Sequence, residues 1–136
     1  MRTLHVRVAG VTYENRQSIL ARLHGNEPIR LEPEPTNKYD PNAIAVKVAL
    51  LTPISVDRQV NDPNGISDVA PEREMVIYHC GYIPREIAAQ IAPVMDGESF
   101  MCKIEEVTGG FSIGENEIAN YGLRLIVELP DAGEVV

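Results

Sequence analysis

Three short segments of this chain concentrate the side chains that could bind or react. They are Gly10-Val11-Thr12-Tyr13-Glu14-Asn15-Arg16-Gln17, Thr36-Asn37-Lys38-Tyr39-Asp40-Pro41-Asn42-Ala43-Ile44 and Gly81-Tyr82-Ile83-Pro84-Arg85-Glu86. Their chemistry is that of recognition. Tyrosine offers a π-face, a carboxylate accepts from a hydroxyl or amide donor, and a guanidinium grips an oxyanion through parallel N–H groups. Each residue also has a plain structural use. Tyr13 suits the rim of a fold, and Tyr39 suits a core. Asp40 before Pro41-Asn42 is a turn-former that bonds its own backbone, and Arg85-Glu86 at a helix start is a solvated pair.

Reaction chemistry is missing from the pattern. Gly109-Gly110 and Gly114 lack the Lys-Ser/Thr that would complete a phosphate-binding loop. His5, His24 and His79 are scattered without metal-ligand spacing, and no serine sits in a nucleophile elbow. Cys80 and Cys102 read as reduced core residues. The chain is therefore expected not to be an enzyme and to need no cofactor or metal.

Its 136 residues are the size of one domain, and 44% hydrophobic residues are enough for a packed core. A formal net charge of −8 argues against a general polyanion-binding surface. The charge is uneven, however: residues 1–49 sum to +2, 50–75 to −3 and 76–136 to −7. An anion is best sought in the N-terminal third, with Arg85 as an isolated helper. No apolar run is long enough to span a bilayer, and Met1 to Gly10 has no signal-peptide core, so no membrane association and a cytoplasmic location are expected.

The elements that must position these segments follow from periodicity. Leu4, Val6 and Val8 alternate along a strand over Arg2–Ala9. Asn15 can cap a short helix carrying Ile19, Leu20 and Leu23, stopped at Gly25-Asn26. Strands follow at Ile29–Leu31, Ala43–Leu50 and Met75–Ile83. Leu51–Arg73, with Asp62-Pro63-Asn64-Gly65, reads as a long surface loop extending a hairpin. Pro84 opens a second helix ending near Pro93, Asp96-Gly97 makes a turn, and Phe100, Cys102 and Ile104 mark another strand. Phe111–Asn120 reads as an irregular polar loop, and Leu123, Leu125, Val127 and Leu129 form the last strand. The result is a mostly β fold: a small antiparallel six-stranded barrel, OB-like or SH3-like, with two short helices. It occupies 1–130 as a single domain, with a tail over 131–136.

Together the three segments resemble the HIRAN domain, a small barrel found at the front of helicase-like transcription factor and related fork-remodelling ATPases, and free-standing in bacteria. The resemblance covers roughly residues 3–130. Its most specific part is Asn-x-Tyr-Asp-x-Asn-Ala-Ile, here Asn37–Ile44, followed by Gly-Tyr-Ile-Pro-Arg-Glu at Gly81–Glu86 and by Asn120-Tyr121-Gly122 before the last strand. Leu51–Arg73 is longer than the corresponding hairpin loop and looks like an insertion.

The resemblance implies a module that captures the 3′ end of single-stranded DNA and recognises its free hydroxyl. Carried over by position, Tyr13 stacks on a terminal base, Tyr39 and Asp40 surround the end, and Asp40 accepts from the 3′-hydroxyl. Asn37 makes a polar contact in the same loop. Arg85 stands where the family has a lysine near phosphate, and Tyr82 where one member has histidine. Tyr121 falls near an aromatic that closes the base pocket. The chemistry is coherent, because a carboxylate accepts from a free hydroxyl and repels a phosphate placed there. One departure is Thr12, where fork-remodelling members carry arginine, which removes a phosphate contact. The implied partners are a 3′ end and a helicase or nuclease, in DNA repair or replication-fork processing. The alternative is a protein- or peptide-binding β-barrel adaptor that has lost DNA binding, which Thr12 and the acidic C-terminal half favour.

Overall fold

A computed structural model describes residues 2–53 and 73–129. Half-buried alternation produces the strands: β1 (Arg2–Arg7), β2 (Ile29–Pro33), β3 (Ile44–Pro53), β4 (Arg73–Tyr82), β5 (Phe100–Thr108) and β8 (Gly122–Leu129). They form one antiparallel sheet in the order β1-β8-β5-β2-β3-β4. Val6, Ile29, Leu31, Val46, Val48, Leu125 and Val127 face inward and are essentially fully buried. Burying each such side chain contributes about 1.5–3 kcal/mol. The expected mostly β architecture with six main strands and two helices is present.

Strand β5 serves two halves of the sheet. Phe100–Cys102 pair with β2, and Lys103 onward pairs with β8, with a register shift between Ile104 and Glu106. That irregularity bends the strand and helps the sheet curl. The curl brings the two edges together at one point. The Ala9 N–H donates to the Tyr82 carbonyl at 2.8 Å, and the Tyr82 N–H donates back to Ala9 at 2.9 Å. Gly81 makes this approach possible. A Cβ there would collide with the Ala9 carbonyl oxygen and lie 2.7 Å from Val8 Cγ1, and its φ of +154° disfavours other residues.

Several boundaries differ from the sequence-based expectation. The first strand ends at Arg7, leaving Ala9 as an isolated bridge to Tyr82. Helix α1 is Arg16–Leu20 and ends at Ala21, well before Gly25-Asn26; Asn15 stands at its N-cap without a side-chain cap bond. Ile19 and Leu20 are already buried by then, so the core gains little from another turn. Helix α2, Arg85–Met95, runs through Pro93 to Met95. Burial of Met95 holds this last turn, and Asp96 ends it in the left-handed region at φ +51°. The proposed loop over 51–73 starts later, because β3 and β4 stay paired out to Pro53 and Arg73. The rest of that loop, including Asp62–Gly65, and the 131–136 tail lie outside the described residues.

Phe111–Asn120 was expected to be irregular. It holds a small hairpin of β6 (Ser112–Gly114) and β7 (Glu117–Ile118). Its side chains are exposed throughout, so there is no inside–outside alternation to mark it. Among the described residues no helix is long and apolar enough to cross a membrane.

Substituting Gly81→Ala is expected to lower unfolding stability by about 2–4 kcal/mol through collision and backbone strain. Gly25→Ala should cost less, because that position also has positive φ (+102°) but open space around it. Urea unfolding of both variants checks this; equal losses would mean the edge contact is not what Gly81 serves.

Candidate functional site

The Asn37–Ile44 motif folds because two prolines start two turns. In Glu34-Pro35-Thr36-Asn37 the Asn37 N–H donates to the Glu34 carbonyl at 3.0 Å. In Asp40-Pro41-Asn42-Ala43 the Ala43 N–H donates to the Asp40 carbonyl at 3.1 Å. Proline at the second position presets φ for such turns. The Glu34 N–H then closes the loop on the Ala43 carbonyl at 2.8 Å.

Side chains lock the space between the turns. Asn37 Oδ1 accepts from the backbone N–H of Tyr39 at 2.9 Å and of Asp40 at 3.1 Å. Asn37 Nδ2 donates to Glu34 Oε1 at 3.1 Å, and the Tyr82 hydroxyl donates to the same oxygen at 3.0 Å. Glu34 thus ties the motif loop to the end of β4. Burial, reinforced by the bond to Glu34, raises the Tyr82 hydroxyl pKa and keeps it protonated as the donor.

Asp40 has two distinct oxygens. Oδ1 accepts from the Asn42 N–H at 2.9 Å, so the turn-forming role is real. Oδ2 lies 3.9 Å from Arg85 Nε, too far for a hydrogen bond, and the Arg85 side chain is 79% exposed. A loose pair of this kind, with Arg85 exposed and Asp40 partly buried, holds little energy and leaves Arg85 free to move to a ligand. Tyr39 is 80% exposed, which removes its core-packing reading, and Lys38 Nζ sits 5.1 Å from its ring centroid.

Asn37, Tyr39, Asp40, Tyr82 and Arg85 line one open cavity of about 530 Å³, completed by Ala9, Ala43, Ile83 and Pro84. Five of the seven sequence-predicted residues therefore converge. Tyr13 stands outside that lining, 67% exposed, on the turn that follows Gly10. Glu14 beside it takes φ +55°, a strained value that swings the chain into α1. Tyr121 is elsewhere. It packs against the core, its ring lies where a Gly110 side chain would go, and its backbone bonds Gln17 on both sides. A second cavity, of about 510 Å³ between 25–28 and 101–104, contains none of the seven.

Beneath the site lies a polar layer that sequence reasoning did not place. Arg16 is 7% exposed and donates from Nη1 to the Gly10 carbonyl at 2.6 Å. Its guanidinium carbon is 5.7 Å from the Tyr82 ring centroid. His79 packs edge-on against Tyr82 with centroids 4.7 Å apart, and its Nε2 bonds the Gly81 carbonyl at 2.8 Å. Burial, then the Arg16 charge, lowers the His79 pKa, so the ring is neutral with its proton on Nε2. Cys80 and Cys102 are free, buried thiols pushed up to about 12 by burial, and so unreactive. Among the described residues no cluster of His, Cys, Asp and Glu is gathered for a metal.

A family model described as the HIRAN domain matches residues 1–109. The chain belongs to the HIRAN domain family. That domain is known as a module binding single-stranded DNA and its 3′ ends. No curated protein and no solved structure matches the chain. The HIRAN match contains Tyr13, Asn37, Tyr39, Asp40, Tyr82 and Arg85 and stops before Tyr121 and the β6–β7 hairpin.

Because the fold holds His79 below its ordinary pKa, it favours the neutral ring, and its contribution to stability is intact above the unfolded value near about 6.5. It is lost as pH falls below that value. Thermal melts between pH 7.5 and pH 5 (about neutral to mildly acidic) should therefore show falling stability, and His79→Gln should flatten the slope. An unchanged slope in the variant would assign the loss to other groups.

Proposed function

We propose that this HIRAN domain, read as one domain over residues 1–130, grips the 3′-hydroxyl end of single-stranded DNA without catalysing a reaction. The supporting observation is the division of labour on Asp40, a residue of the cavity lining: Oδ1 is committed to the turn, while Oδ2 has a loose cationic neighbour in Arg85. Oδ2 accepts from the terminal hydroxyl. Tyr39 and Tyr13 are the exposed rings for stacking, each worth about 1–3 kcal/mol per base. Arg85 swings to the last phosphate, and Asn37 and Tyr82 hold the loop and wall in place. Tyr121 supports the Gly10–Gln17 turn through Gln17 and takes no base. A cytoplasmic role in repair or fork processing, delivering ends to a helicase or nuclease, fits such a module.

The competing reading is a protein-binding barrel, and it draws on Phe111, Ile113 and Ile118, all about 60% exposed on the small hairpin. Fluorescence anisotropy at about 20 mM salt separates the two. A 3′-hydroxyl oligonucleotide should bind about tenfold more tightly than its 3′-phosphate form. Asp40→Asn keeps the turn acceptor and removes the charge, so it should shrink that preference severalfold. Tyr13→Ala should weaken both forms together. Equal binding of the two ends, or no binding, would overturn the end-recognition reading.

A further inference from the structure

A third cleft, of about 400 Å³, opens between α1 and β4, with His79 of the edge-on Tyr82–His79 pair in its lining. Arg16 and Arg22 line it, with Ile77 and Tyr78 as an apolar wall. Its centre is unusual. Arg16 is a buried cation whose nearest carboxylate, Glu14, is 4.0 Å away and 75% exposed. Its Nε is the one buried side-chain nitrogen or oxygen without a hydrogen-bond partner among the described residues. A buried charge so poorly paired is costly, and natural folds retain one where something compensates it.

The Gly10 carbonyl takes Nη1 and the Tyr82 ring lies 5.7 Å away, which leaves Nε without a partner and no close carboxylate on the charge. His79 presents only Nδ1, at 3.5 Å from Arg16 Nη2, and its ring is neutral. Arg22 adds a second cation, held at the rim by bonds to the Leu51 carbonyl and the Thr52 hydroxyl and lying 5.2 Å over the Tyr78 ring. Glu14 and Glu74 are the opposing carboxylates near this face, the latter felt electrostatically at Tyr78.

We propose that this cleft is a phosphate-binding site, separate from the 3′-end cavity, in which the anion sits between the Arg16 and Arg22 guanidiniums. Arg16 on α1 and Arg22 just past its C-terminus both line the cleft, and arginine is the side chain whose forked N–H groups suit phosphate. The exposed Ile77 and the Tyr78 ring provide an apolar wall for the sugar or base attached to that phosphate. The phosphate comes either from the backbone of a bound strand or from a free nucleotide or phosphate ion.

Inorganic phosphate is the probe, titrated into the intact protein and followed by NMR at the Arg16 side-chain N–H and the His79 ring, with chloride at matched ionic strength as control. Saturable shifts specific to phosphate are expected. Arg22→Gln should weaken them about tenfold, equivalent to about 1.4 kcal/mol, in a protein that remains folded at the titration temperature, and Arg16→Lys should weaken them while keeping the charge. Shifts matched by chloride, or unchanged in Arg22→Gln, would overturn the site. Oligonucleotides then separate the sources. If the phosphate belongs to a strand, Arg22→Gln weakens a long oligonucleotide and spares a trimer; if it is free, both are spared. The phosphate titration uses no DNA, so its failure and the failure of the 3′-end reading are separate results.

Discussion

Two hydrogen bonds between Ala9 and Tyr82 set the arrangement on which everything else rests. They join the first and last strands of the sheet order, far apart along the chain. Without them the Gly10–Gln17 turn would stand at one edge and the Tyr82–Arg85 junction at the other. With them, Arg16 reaches under the Tyr82 ring, on the strand end where β3–β4 pairing already sets Glu34 on the Tyr82 hydroxyl and the Asp40 loop beside Arg85. The bonds require Gly81, because only a residue without Cβ lets the two backbones approach. A sheet that closes at one point has free edges elsewhere and a cavity at the junction.

Charge fits this local design. The chain is strongly acidic, and Arg85 is the one cationic residue in the lining of the cavity, too few for a stripe on which to lay a long strand there. The cations that matter are placed singly: Arg85 exposed at the cavity, Arg16 buried behind it, Lys38 over Tyr39. Thr12 supplies no charge, and Arg16, close by in sequence, puts a guanidinium under the same turn. Under the proposed reading, a grip on one end through a few rings and one carboxylate needs no more than this, and its exposed cation, Arg85, makes it weaken with salt.

Much of this was legible in the sequence, for physical reasons. Strands with one buried face announce themselves by alternation, as Leu123, Leu125 and Val127 do; β6 and β7 bury nothing and gave no signal. The turn at Asp40-Pro41-Asn42 was readable because proline and Asx chemistry act locally. Convergence of Asn37, Tyr39, Asp40, Tyr82 and Arg85 was read from resemblance, since no local rule connects residue 40 to residue 85. Glu34, Arg16 and His79 were not assigned roles because each acts through a contact made only after the sheet closes. The end of α1 was misread because Gly25 is a legitimate stop signal, yet the helix has no apolar reason to reach it.

The central claim is that the Asp40 carboxylate, in the cavity shared with Tyr39 and Arg85, meets the DNA end. Backbone NMR with a short single-stranded oligonucleotide, added once with a 3′-hydroxyl and once with a 3′-phosphate, tests it most directly. The 3′-hydroxyl strand should perturb the amides of Tyr39, Asp40, Asn42 and Arg85 most, and those shifts should weaken with the 3′-phosphate. Perturbation confined to the β6–β7 hairpin, or identical at Asp40 for both ends, would contradict it.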